Sequence, residues 1–512
     1  MDTTMTVLLV LLVIYIPLWV LVWKHPRAIS HGFERWGPAI KINTRFGLRF
    51  IERFGRYRRF WRAFGIFSQV VSLLLMVMMV YIMAMAVFNL PNTLSRGGIG
   101  LEYVIALPGL TPFLPLGYGV LALVVAMVCH EMAHGLQSRS NDIGVKHTGL
   151  LYGVVPLGAF VEPDQEDVRK ASRRAKIDLY TAGISTNFVI AALSFLLFST
   201  VMLGGLGSPY MDNCAVYNET DQSPAFDAGV PAGAIILDIG GEPFTYTSGY
   251  YTSDLYSWSP GDLVDVHYRT ETSEHTASFL WGAYVGQTVE GSPAHGILEH
   301  KAISSIEMGG TTYRFYSAEG FSNFMGLTHP GDVVTIGYSW MEGGARMSDS
   351  ATVTLGDNNG KGFLGVVTTT SGMGLITPRA MLATAANPIN GASGPVEIAS
   401  SLLSYLVHPL CGFAPVPDSV KWWYDAPFDG FWVICSALFW ICWLNMMLGI
   451  TNALPCFPFD GGYVFLGWID AIMERMGNRD REARERRAEE ITRNISSMVM
   501  FLYLMVILAA IL

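Results

Sequence analysis

The chain has 512 residues, 51% hydrophobic and only 15% charged, with a formal net charge of −9 at pH 7; its mean hydropathy is +0.36. A single soluble domain, in which about a quarter of residues are charged, is excluded by that balance. The net acidity weighs against a nucleic-acid partner, and none is expected.

Apolar runs long enough to cross a bilayer lie at Met5–Trp23, Phe64–Leu90, Leu116–Leu136, Ile177–Leu203, Phe431–Thr451 and Ser496–Leu512. The first has no basic flank before it and no small-residue cleavage site after it, so a retained anchor is expected. Met381–Val407 is interrupted by Pro388 and Gly391 and reads as a re-entrant or surface element. Three connecting segments are strongly basic: Lys24 to Arg62, Arg139 to Lys176, and Arg475 to Arg493. With six spans all three fall on one side, the cytoplasmic one by the positive-inside rule. The Gly204–Gly430 region and the Pro91–Pro115 connection then face outward.

The third span contains His130-Glu131-Met132-Ala133-His134. Histidines at i and i+4 leave one helix face together, where both can bind one divalent metal while the intervening glutamate acts as base. Ionisable groups inside a span are expensive and mark function; the alternative is a buried polar cluster that holds helices together. Counted from Arg139, His130 lies about 14 Å inside the cytoplasmic boundary at 1.5 Å per residue. A catalytic metal needs a third protein ligand. Asp460 is the candidate, in the segment Asn452-Ala453-Leu454-Pro455-Cys456-Phe457-Pro458-Phe459-Asp460-Gly461-Gly462 after the fifth span. It returns the chain to the same side as the histidines; the alternative is that Asp460 N-caps the helix that follows.

Cys129, Cys435 and Cys442 fall within spans and Cys456 beside Asp460; none has zinc-knuckle spacing, and Cys129, turned away from the ligand face of its helix, is expected to pack. Cys214 and Cys411 both lie in the outward region, where a disulfide is one option. His147, His267 and His329 lack partners at ligand spacing.

These residues resemble the site-2 proteases, intramembrane zinc metalloproteases. The likeness rests on the HEMAH helix, on the NALPCFPFDGG segment, on Pro156-Leu157-Gly158-Ala159-Phe160-Val161-Glu162-Pro163 as a membrane-associated β-hairpin, and on Ala182-Gly183-Ile184-Ser185-Thr186-Asn187 as an AGxxxN element. It covers Leu116–Leu203 and Phe431–Gly462, and departs from the family at Cys456-Phe457. The resemblance implies one Zn²⁺ held by His130, His134 and Asp460, with Glu131 as base and proton shuttle. Asn187 and Asn452, with Gly158, Ala159 and Phe160 of the hairpin, are cavity or substrate contacts. The implied substrate is a transmembrane protein segment already trimmed by another protease. A hairpin edge within Gly149–Val161 can pair with an unwound substrate; the alternative is an ordinary connecting loop. His₂Asp ligation by itself also admits other divalent metals.

The outward region carries a repeat. Ser223-Pro224-Ala225 and Gly229 recur as Ser292-Pro293-Ala294 and Gly296, and Pro260-Gly261-Asp262-Leu263-Val264 recurs as Pro330-Gly331-Asp332-Val333-Val334. The pattern resembles tandem PDZ domains, which bind extended peptide ends at a sheet edge; spacers without a ligand are the alternative. The expected architecture is therefore an α-helical polytopic membrane protein of about six transmembrane helices with an inserted extracytoplasmic pair of PDZ-like, mainly β domains. Its parts are 1–115 (first helices and basic loop), 116–203 (catalytic core), 204–282 and 283–370 (PDZ-like pair), 371–430 (connecting or re-entrant), 431–475 (span and third ligand) and 476–512 (charged helix and last span). The expected setting is a lipid bilayer, a prokaryotic cell membrane with an internal eukaryotic membrane as the alternative, and peptide C-termini are expected as ligands of the PDZ-like pair. Two other function classes are a catalytically inert scaffold, against which the intact Glu131 stands, and a metal transporter, which would spread polar residues along several spans.

Overall fold

The computed structural model describes residues 3–24, 32–37, 39–91, 94, 111, 113–153, 156–389, 391–407, 409, 416–478 and 480–511. Most of the Pro91–Pro115 connection, and Cys411 of the considered disulfide, lie outside them. The chain forms two compact units, one of residues 1–202, 399–413 and 430–512, the other of residues 203–398 and 414–429.

The first unit opens with α1 (Thr3–Lys24) and then a short hairpin, β1 (Phe33–Trp36) and β2 (Ala39–Thr44). Next come α2 (Leu48–Phe54), α3 (Arg58–Phe88) and α4 (Leu116–Ser140). The strands β3 (Val145–Tyr152) and β4 (Pro156–Pro163) follow, then α5 (Gln165–Lys170) and α6 (Arg173–Leu196), which runs on as a π-helical segment, Leu197–Leu203. After the second unit come α7 (Phe431–Asn452), α8 (Asp460–Arg475) and α9 (Arg481–Ile511).

Five helices are long and apolar enough to cross a membrane: Arg58–Phe88, Leu116–Ser140, Arg173–Leu203, Phe431–Asn452 and Arg481–Ala509. The first of the six expected runs contributes only the shorter apolar segment Leu12–Lys24 among the described residues. These helices are apolar around most of their circumference. On α3 the buried positions Ser68, Val71, Ser72, Leu75, Met76, Met79 and Met83 recur at helical spacing, while Val70, Leu73, Leu74 and Val77 are exposed. An apolar face turned outward is what a lipid-facing helix presents.

At the centre α4, α6 and α7 pack on one another. Small residues make this close approach: Ala122, Ala126 and Ala133 on α4, Ala182, Gly183 and Ala191 on α6, and Gly449 on α7, where a Cβ would stand 3.3 Å from the Ile184 carbonyl oxygen. The expected hairpin is present as β3 and β4, but it belongs to a larger sheet. β2 pairs with β3, with Ile40 opposite Tyr152 and Thr44 opposite Thr148, giving a four-stranded antiparallel order β1-β2-β3-β4. At the other end of the helices, Asp470 of α8 binds Arg173 of α6 and Arg484 of α9, each at 2.7 Å, and Glu474 joins both arginines.

The second unit carries thirteen strands: β5 (Cys214–Glu219), β6 (Ile235–Ile239), β7 (Leu263–Arg269), β8 (Glu274–Leu280), β9 (Ala283–Thr288), β10 (Lys301–Met308), β11 (Thr311–Tyr313), β12 (Val333–Glu342), β13 (Ala345–Thr354), β14 (Gly356–Asn358), β15 (Lys361–Phe363), β16 (Val366–Thr370) and β17 (Met373–Ile376) among the described residues. The main sheet runs β13-β12-β10-β9-β16-β17-β5-β6-β7-β8. Its two halves read alike from the centre outward: β16-β9-β10-β12-β13 and β17-β5-β6-β7-β8. The sequence repeat is the structural repeat. Both Pro-Gly-Asp turns close the same way: Gly261 N–H donates to Trp281 O at 2.6 Å and Gly331 N–H to Leu355 O at 2.9 Å, while the Asp262 and Asp332 carboxylates accept from Ser259 N–H and His329 N–H at 2.9 and 2.8 Å.

Each half has its own core. One gathers Trp258, Trp281, Tyr316, Ile236, Val266 and Met373; the other gathers Phe315, Phe321, Phe324, Ile306, Ile336 and Leu364. Met373 lies beyond residue 282, so the first half is completed by a strand from after the second. β16 and β17 form one tight hairpin, Thr370 opposite Met373, through Ser371 (φ 54°) and Gly372 (φ 93°), the positive-φ pair that a type I′ turn requires. Within the Met381–Val407 stretch the chain is helical at Pro378–Ala386 and Pro395–Val407; the latter is too short to span at 1.5 Å per residue.

Candidate metal centre

His130 and His134 project from one face of α4, both buried, their ring centroids 4.7 Å apart. The Nε2 atoms are 3.1 Å from each other, and Asp460 Oδ2 lies 3.0 Å from His130 Nε2 and 3.2 Å from His134 Nε2. The three residues form the one group able to hold a metal ion among the described residues. Such a triangle suits one divalent ion with N and O bonds of about 2.0–2.2 Å.

Asp460 reaches this point because of the loop before it. Phe459 is the cap position of α8 and Asp460 is its first helical residue, so the carboxylate does not cap the helix; it faces the histidines. Gly461 lets the loop fold against the helix start: a Cβ there would meet Ala453 O and Leu454 O at 2.4 Å.

Surrounding groups set the histidine tautomers. His134 Nδ1 is 2.8 Å from the Leu179 carbonyl of α6, so Nδ1 carries the proton and Nε2 offers its lone pair to the centre. His130 Nδ1 is 3.2 Å from the Asn187 amide, whose other atom, Oδ1, is buried without a partner. The two amide orientations are isosteric, and the one that presents Oδ1 to Nδ1–H gives His130 the same tautomer as His134. Asn187, expected as a cavity contact, therefore orients the His130 ring. Gly183, one helical turn before it, was not among the expected site residues. A Cβ there would stand 2.6 Å from both Nε2 atoms, so the missing side chain keeps open the space that the His130 and His134 nitrogens face. The only trace in the sequence is the AGxxxN spacing, which puts Gly183 and Asn187 on one helix face.

Glu131 is half-buried beside the triangle, and its Oε2 accepts the Val161 N–H of β4 at 2.9 Å. The other hairpin candidates lie on the same strand: Gly158 faces Met127 of α4, Phe160 carries the Lys41 ammonium 4.8 Å above its ring, and Ala159 lies between them. Asn452, the last residue of α7, makes no hydrogen bond to His130, His134 or Asp460 among the described residues. Cys129 is half-buried and Cys435, Cys456 and Cys214 are buried.

Chemically, the centre offers two neutral imidazole nitrogens and a carboxylate to a cation, with a second carboxylate alongside for proton transfer. The family model for Peptidase family M50 matches residues 118–506, more than half of the chain. Over 203 residues the chain is 32% identical to an uncharacterized protein of Methanocaldococcus jannaschii, covering 39% of this chain and 52% of that protein, so the chain spans about half the length of this curated relative. A match running from the start of the histidine helix into the last apolar helix makes the chain a member of Peptidase family M50, a metallopeptidase family.

Proposed function

We propose that the protein is an intramembrane zinc metalloendopeptidase that cuts transmembrane segments of membrane-anchored proteins after a first cleavage by another protease. The observation that carries this reading is the convergence of His130, His134 and Asp460 beside a glutamate tied to the free edge of a sheet. The donor set fits zinc: two Nε2 lone pairs fixed by Leu179 and Asn187, one carboxylate oxygen otherwise buried without a hydrogen bond, and the clearance at Gly183. When bound, zinc supplies Lewis acidity and lowers the pKa of water.

The protein's own residues do the rest. A helical substrate has its carbonyls occupied by internal hydrogen bonds and must be extended before it is cut; β4, an edge strand, supports that extension by backbone pairing. Glu131 takes the proton of the attacking water and returns it to the leaving amine. The small-residue crossing of α4, α6 and α7 limits water around the histidines. The basic loops support a centre that opens to the cytoplasm, in a prokaryotic cell membrane. The duplicated β unit is read as a PDZ-like pair that meets peptide ends on the outer side.

The test compares wild type with Glu131→Gln on a tagged single-span substrate in liposomes, with a zinc chelator as a third arm. Cleavage inside the span by wild type alone is the expected result. Uncleaved substrate at full zinc occupancy, across several spans with trimmed outer domains, would overturn the reading in favour of a scaffold.

A further inference from the structure

β4 lies at the edge of its sheet, so every second residue turns its N–H and C=O away from β3. Val161 is opposite Thr148 in the register, and its N–H goes to Glu131 Oε2 at 2.9 Å and not to β3. The register is regular from Gly158 to Val161 and is interrupted by a bulge at Leu157, so residues 159 and 161 form the outward set. Of these, Val161 has given its outward donor to the glutamate. Ala159, two residues back and about 6.6 Å along the strand, has no outward partner among the described residues. The strand also packs against the helix that bears the glutamate: Val161 abuts Gly135 and Gly158 abuts Met127, one on each side of Glu131. The Val161 N–H is therefore a donor held in place by packing of the strand against the helix that carries the glutamate.

A half-buried carboxylate that serves as base must face the attacking water and the scissile peptide at once. A glutamate has three side-chain torsions, and one fixed donor on one oxygen removes most of that freedom while leaving the other oxygen free. We infer that the Val161 main-chain N–H is a positioning group for Glu131, and that the edge of β4 is divided: position 161 serves the base, and the outward N–H and C=O of Ala159 receive the substrate backbone. Resting on the proteolytic reading, this fixes the register of the bound strand. The substrate pairs at 159 and passes beside 161 unpaired, where its peptide group lies next to Glu131. A substrate strand that slipped by two residues would compete with the glutamate for the Val161 donor, so the division also rejects the wrong register.

Replacing single amides by esters tests both halves of the claim, because an α-hydroxy acid at 161 or at 159 keeps the side chain and removes the N–H, at the cost of a weaker acceptor only on the preceding carbonyl, which faces β3. With the full-length protein in liposomes and a single-span substrate, the ester at 161 should lower kcat roughly tenfold to a hundredfold with KM and bound zinc unchanged. The ester at 159 should raise KM about tenfold with kcat unchanged. Val161→Pro and Ala159→Pro, which remove the same donors by ordinary mutagenesis, should give the same split. A 161 ester with wild-type kcat, or with only KM altered, would overturn the inference while wild-type cleavage left the proteolytic reading standing. Absence of cleavage by wild type would instead sink the reading on which it rests.

Discussion

Gly183 has no side chain, and the centre depends on that. The His130 and His134 Nε2 atoms face the spot where its Cβ would be, 2.6 Å away, well inside any tolerable contact. The His130 and His134 rings are themselves held, by Asn187 and Leu179, and cannot retreat freely. Gly183→Ala should therefore weaken zinc binding by at least about tenfold, while the helix gains propensity of about 1 kcal/mol from losing a glycine. Metal content of the purified variant checks this, with melting in detergent to show that the fold survives. Unchanged zinc content would mean that α6 can shift away from α4. His130, Glu131, His134 and Asp460 are legible in the sequence because each carries a chemical group at a spacing with a mechanism. Gly183 is not, because the requirement for an absent side chain arises only where two helices cross.

At the scale of elements, the Asp470 network ties the start of α6, the end of α8 and the start of α9 together. The Asp470 and Arg484 side chains are 11% and 8% exposed, so the pair is buried, and removing the Asp470 carboxylate leaves the Arg173 and Arg484 charges to Glu474 alone. Asp470→Asn should destabilise the protein by about 3 kcal/mol, toward the low end for a broken buried pair. Burial alone would raise the Asp470 pKa, but the Arg484 and Arg173 guanidinium groups outweigh it and hold it below the ordinary 3.8. The folded state thus binds this proton less readily than the unfolded chain. The contribution is fully present above the ordinary value and is lost as the pH falls through the lower folded one. The melting difference between wild type and Asp470→Asn should stay constant from about pH 8 to pH 5 and shrink below about pH 4. A gap that widens on acidification would refute this. The same basic segments hid two strands. Arg35 and Lys41 read as orientation charges, yet Ile40 and Ile42 alternate with Lys41, a period of two that lets β2 join β3.

For the second unit, the Pro-Gly-Asp repeat disclosed the duplication, but not how the halves are completed. The sequence assigns each half a contiguous segment; the sheet instead draws the fifth strand of both from one hairpin, β16–β17. Pairing of β16 with β9 and of β17 with β5 spans many residues of chain and leaves no local signal. Gly372 makes that hairpin. Its φ is 93°, and a Cβ there would stand 1.9 Å from Ser223 Oγ. Gly372→Ala combines a left-handed backbone penalty with overpacking, about 2–4 kcal/mol together. Both halves should lose protection in step, which hydrogen exchange or limited proteolysis of the whole protein can follow. Loss confined to one half would show that they are stabilised independently.

The shared hairpin also sets a schedule for synthesis. β5 to β8 leave the ribosome first, but the strand that covers the inner edge of β5 is made only after the whole second half. At about 5–20 residues per second that is a wait of roughly ten to thirty seconds, during which β5 presents an unpaired edge, the kind of surface that recruits stray strands. The nascent chain finishes both halves in one late event, when a single turn of residues 370–373 brings the last two strands into place side by side.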